Sequence, residues 1–87
     1  MENSREIETK VFSELLRERR QKAKIKQDEL AAKLRKPQSW VSRHERGELR
    51  LDFLELRDYL AHLGVSMPAF AAAFERRLTD AHDGQLD

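Results

Sequence analysis

Two side chains in the middle of this 87-residue chain can each hold a planar partner with two hydrogen bonds at once. The amide of Gln38 donates and accepts side by side, and the guanidinium of Arg43 is a rigid fork of donors. Ser39 and Ser42 add short hydroxyls, and Trp40 adds a ring, within the same six residues. These groups lie in a basic stretch: residues 17–50 carry twelve basic and five acidic groups, a net +7, whereas residues 1–16 sum to −2 and residues 51–87 to −4. The overall formal charge of +1 hides that division. A local field of this sign reads either as a solvated charged surface or as an electrostatic footprint for phosphates. Catalytic chemistry finds no comparable set. The chain has no cysteine, so a thiol nucleophile, a zinc–thiolate site and a disulfide scaffold all drop out. His44, His62 and His82 are scattered, and Asp58 with His62, one turn apart, reads as an exposed helical pair before it reads as a metal site. No enzymatic activity, metal or cofactor is expected.

The elements that must position those groups are helical. Three glycines, two prolines and 7% aromatics argue against an all-β design, while 39% apolar and 38% charged residues suit a small core beneath a charged surface. A chain of this size buries only about 60% of the surface its unfolded form exposes, enough for one domain. Ile7, Val11, Phe12, Leu15 and Leu16 form a first helical stripe, opened by Asn3 or Ser4 and running to about Lys22. Gln27 to Leu34 is a short second helix with acids in its first turn. A third follows Pro37 and stops at Gly47, a residue that tolerates the left-handed conformation of a helix end. Asp52 with Glu55 opens a fourth, whose apolar face is Phe53, Leu54, Leu56, Tyr59, Leu60 and Leu63. Ser66 and Pro68 open a fifth, placed at about 67–79, with Met67, Phe70, Ala71, Phe74 and Leu78 on one stripe. The expectation is an all-α, five-helix single domain over residues 1–79 and a flexible tail over 80–87. The N-terminus is acidic and polar, and no stretch approaches the roughly 18 apolar residues of a membrane span. This reads as a soluble, cytoplasmic protein with no membrane partner.

Two short helices separated by about three residues match the local plan of a helix-turn-helix, over residues 27–47. Leu16-Arg17-x-x-Arg20, then Gln27-x-Glu29-Leu30-Ala31, then Pro37-Gln38-Ser39-x-Val41-Ser42-x-x-Glu45-Arg46-Gly47, resembles the phage repressor and Cro type of that motif, the Xre family. The resemblance extends from about Val11 to Val65. It implies a prokaryotic or phage-encoded regulator whose third helix enters the major groove of double-stranded DNA, as half of a homodimer on a palindromic operator. It also implies that Gln38 is the prime reader of base edges, that Gln27 at the head of helix two binds phosphate, and that Arg20 and Glu45 form a largely buried ion pair. The chain departs from the family where glycine is replaced by Lys24 and Arg35, and where Ser or Thr is replaced by Lys26. A nonglycine residue held left-handed at Lys24 or Arg35 stores about 1 kcal/mol or more, unless the turn takes another shape.

On that frame Gln38, Ser39, Arg43, Trp40 and Ser42 are the candidate base contacts, with Gln suited to adenine N6 and N7 and Arg to guanine O6 and N7. Trp40 reads equally as core or as a ring on sugar, phosphate or a thymine methyl. Lys26, Gln27, Lys36, Arg46 and Arg50 are the candidate phosphate contacts. Phe70, Phe74, Leu78 and Met67 are the candidate dimer contacts on helix five, because so small a domain has difficulty hiding that much apolar surface. The competing class is a protein-interaction module, such as an antitoxin that neutralises a protein partner, for which the acidic C-terminal third would serve.

Overall fold

The computed structural model describes residues 3–85, with side chains as far as Ala81. Its elements are α1 (Ser4–Lys22), α2 (Gln27–Leu34), α3 (Gln38–Glu45), α4 (Phe53–His62) and α5 (Met67–Gln85), with no strand among the described residues. The all-α helix-turn-helix fold is the one observed.

Local chemistry explains each start. Asn3 Oδ1 accepts the N–H of Glu6 at 2.8 Å, so α1 begins at Ser4 with an orphan donor satisfied. Asp52 and Glu55 exchange side-chain to backbone hydrogen bonds at 2.8 and 2.9 Å, a reciprocal box at the head of α4. Ser66 Oγ accepts from Ala69 at 3.2 Å and opens α5. α5 runs to Gln85, past the expected end at residue 79, so the segment from Asp80 to Gln85 is helix and not tail. After Pro68 in its first turn α5 has no glycine or proline until Gly84, and Thr79 Oγ1 donates back to the Glu75 carbonyl without breaking the helix. The remainder of the expected tail, residues 86–87, lies outside the described residues, as does the side chain of His82.

Both departures from glycine keep the glycine-like turn. Lys24 sits at φ 60° and Arg35 at φ 58°, each closing a helix end in the left-handed region. Behind Arg35, the Lys36 N–H reaches back to the Ala31 carbonyl at 2.9 Å. The hydrogen bonds of the closed turn outweigh the backbone strain at two surface positions. Gly47, at φ 77°, additionally faces Thr9 and Ser13, whose atoms would lie 3.4 and 3.5 Å from an added Cβ.

The core gathers Leu15 and Leu16 from α1, Leu30 and Ala31 from α2, Val41 from α3, Tyr59 and Leu60 from α4, Leu63 just after it, and Phe70 and Ala73 from α5. α1 packs on α5 and α3, and α2 packs on α3 and α4. Two apolar assignments are corrected here. Phe70, read as a dimer contact, is 3% exposed, with its ring edge-on to Phe12 at 5.8 Å; within the single chain it is already covered. Phe53 and Leu54, read as part of the buried face of α4, stand 71% and 68% exposed. The packing seam of α4 is Leu56, Tyr59 and Leu60, continued by Leu63 just beyond its end, and Phe53 and Leu54 lie outside it.

Candidate functional site

α3 buries Val41, His44 and Glu45 and leaves Gln38, Ser39 and Arg43 exposed. A helix this short displays one outward stripe, and residues 38, 39, 42 and 43 share it. Structure therefore brings four of the five sequence-nominated base contacts to one surface. Trp40 leans the other way: half-buried, it packs against the core, with its ring 4.3 Å from that of His44 and the Lys36 ammonium 5.3 Å above its centroid. Ser42 is half-buried, and its hydroxyl accepts from Arg46 at 2.9 Å.

Gln38 is not a free surface amide. Its Nε2 donates to Gln27 Oε1 at 2.6 Å, and Gln27 Nε2 donates in turn to Glu45 Oε1 at 3.0 Å. Glu45 also accepts from Arg20 Nε at 2.6 Å, Arg20 Nη2 at 3.0 Å and the Tyr59 hydroxyl at 2.9 Å. The remaining Arg20 amine, Nη1, donates to the Ile25 carbonyl at 2.7 Å. An exposed amide on α3 is thus tied through α2 to a buried ion pair joining α1, α3 and α4. Burial pushes the Glu45 carboxyl up, but the hydrogen bonds from Arg20, Gln27 and Tyr59 outweigh it and hold it below the usual carboxylate range. The bond to Glu45 raises Arg20 further despite burial, and burial, reinforced by the Glu45 charge, raises the Tyr59 phenol. All three groups keep one protonation state near neutrality, so the support for Gln27 and Gln38 is fixed.

Gln38 retains its own Oε1 and its second N–H for an outside partner, and Gln27 retains its second N–H. Those are the acceptor and donor that an adenine edge requires of Gln38.

Of the basic side chains nominated for phosphate, Lys26, Lys36 and Arg50 are exposed. Arg46 is exposed too, yet its guanidinium bonds Glu48 through Nε at 2.7 Å, and Arg43 Nε lies 3.7 Å from the same carboxylate. The hydrogen bond from Arg46 draws Glu48 below the usual carboxylate range. Solvent screens this exposed pair, so a phosphate can displace Glu48 at small cost.

Sequence reasoning missed Tyr59 as the third member of the Arg20–Glu45 pair, Glu48 as a competitor for two arginines, and the role of Gln27 as a brace. Only the last had a signal in the sequence, since both glutamines begin adjacent short helices. It also passed over His44, which is 3% exposed with Nδ1 lacking any hydrogen-bond partner. Burial pulls its imidazole below the usual value, against the backbone bond with Leu49 and the charge of Glu55. Among the described residues no group of three His, Asp or Glu could hold a metal ion, and no helix is long and apolar enough to cross a membrane.

A family model described as a helix-turn-helix domain matches residues 11–73, well over half of the chain. No curated protein and no solved structure matches.

Proposed function

The chain belongs to the helix-turn-helix domain family, a class of DNA-binding regulators, and on that premise we propose that it is a sequence-specific, Xre/Cro-type repressor acting as a homodimer on a palindromic operator. The observation that carries this reading is the braced amide of Gln38: an exposed side chain at the head of α3, held by Gln27, itself bonded to Glu45, with one N–H and its Oε1 not engaged by that bond. A reading group whose position is set before binding loses less side-chain entropy on the base edge. Ser39 and Arg43 extend the same face toward neighbouring bases, with Arg43 suited to guanine. Lys26, Gln27, Lys36, Arg46 and Arg50 flank α3 as phosphate contacts, which fix register on the duplex and give the complex its salt dependence. Repression by occupying an operator needs nothing beyond this surface, which favours repressor over activator. A cytoplasmic protein of prokaryotic or phage origin, working at the nucleoid, follows from this reading.

Electrophoretic shift with a random duplex at low salt, followed by selection of bound sequences from a random DNA pool, tests it. Gln38→Ala and Arg43→Ala are each expected to weaken binding to the selected sequence by about 1–3 kcal/mol and to leave nonspecific affinity nearly intact, whereas Lys36→Ala weakens both. A chain that shifts no duplex at low salt is a protein-interaction module instead.

A further inference from the structure

We propose that two copies of this chain associate through the outward face of α4, packed antiparallel about a two-fold axis that passes between Arg57 and Asp58. The inference rests on the homodimer reading above and names its surface. Helix α5, where the sequence pattern placed the contact, is better covered within the chain: Phe70 and Ala73 are in the core, Met67, Phe74 and Leu78 are half-buried, the Phe74 ring 6.4 Å from that of Phe12, and the fully exposed positions Ala69, Ala71, Ala72, Glu75 and Arg76 carry small or charged side chains.

Phe53 and Leu54 are the large apolar side chains that the folded chain leaves exposed among the described residues. Scattered exposed apolar residues need no explanation, but adjacent ones on the first turn of a helix form a patch. Further along the same helix Arg57, Asp58, Ala61 and His62 are also exposed. Spacings of three and four residues join Leu54, Arg57, Asp58 and Ala61 into one outward face, with Phe53 and His62 at its two edges. Arg57 and Asp58 take part in none of the ion pairs that the described side chains form within the chain.

This face is complementary to itself. The midpoint of Phe53–His62 falls between Arg57 and Asp58, so an antiparallel two-fold pairing centred there sets Arg57 opposite Asp58 of the second copy, twice. The same operation sets Leu54 opposite Ala61 at each end, a large apolar side chain against a small one. A parallel pairing would set like charge against like. Charge order and apolar placement therefore select a second copy of this chain over an unrelated partner. α4 is joined to α3 by residues 46–52, which include Arg46 and Arg50, so the same axis relates the two reading helices and sets the half-site spacing.

A ten-residue helix is about 15 Å long, and one face of it is smaller than the roughly 800 Å² per partner of a standard interface, so the dimer is of the weak, concentration-dependent kind. Sedimentation of the full chain up to about 0.5 mM, a concentration that populates a dimer with a Kd of about 1 mM or tighter, is the test. The parent is expected to dimerise. Arg57→Asp and Asp58→Arg, both surface changes, should each weaken self-association at least about tenfold, while an equimolar mixture of the two variants regains it, because only the mixed pair opposes unlike charges. Far-UV circular dichroism confirms that each variant is folded. A parent that stays monomeric throughout, single variants that dimerise like the parent, or a mixture that fails to regain association each overturns the proposal. Low-salt duplex binding by the same variants is recorded in parallel: its loss in the parent refutes the DNA reading and leaves the α4 contact standing, whereas monomers that still shift duplex refute only the contact.

Discussion

Glu45→Ala removes the acceptor on which four hydrogen bonds converge. The side chains of the pair are 10% exposed at Arg20 and 2% at Glu45, so the Arg20 charge left behind keeps only the Ile25 carbonyl, at 2.7 Å. Breaking one partner of a buried ion pair costs about 3–5 kcal/mol. The Tyr59 hydroxyl, also orphaned, is itself worth about 1–3 kcal/mol when left unsatisfied, which puts the expected loss in the upper half of that range. Against a total stability of about 5–15 kcal/mol, this removes from about a quarter to nearly all of it. Urea titration followed by far-UV circular dichroism, in which the midpoint reports stability when the slope is unchanged, measures this. A combined Arg20→Leu and Glu45→Leu change should recover much of the loss. It still leaves the Tyr59 hydroxyl without its acceptor, so adding Tyr59→Phe should recover about 1–3 kcal/mol more. A loss below about 1 kcal/mol for Glu45→Ala would mean that the pair is solvated and would refute the reasoning.

Three other outcomes follow from the same structure. Because hydrogen bonds hold Glu45 below the ordinary carboxylate value of about 4.3, its contribution is fully present above that pH and is lost as pH falls through the depressed folded value; acid titration of the Glu45→Gln variant should lack that limb. Burial lowers His44 from its ordinary value of about 6.5, so the unfolded chain takes up the proton first and stability declines as pH drops below that point; a His44→Leu variant whose urea midpoint falls as steeply as the parent's between neutral and acid pH would contradict the burial argument. Arg35→Gly should relieve the left-handed strain and raise stability by about 0.5–1 kcal/mol; a loss of stability in thermal melts would show that the turn is not strained.

Much of this molecule is legible along the chain because helix signals are local. The stripe from Ile7 to Leu16, the Asn3 cap, the Asp52–Glu55 box and the glycine stop at Gly47 each act within four residues, and each is found where the pattern puts it. The +7 segment and the two glutamines heading adjacent short helices are likewise matters of order and spacing, and they bring Gln38, Ser39 and Arg43 to one exposed face. Burial is different, since an apolar stripe states which side of a helix seeks cover and says nothing about how far the cover extends. Phe70 and Phe53 look alike in their stripes; one meets Phe12 across the α1–α5 contact, and the other stands 71% exposed at the start of α4. The Tyr59 bond to Glu45 and the burial of His44 likewise depend on residues whose separation in sequence carries no mutual signal. Hydrogen-bond geometry fails within a fraction of an ångström, so these pairings exist only once α1, α2, α3 and α4 have docked.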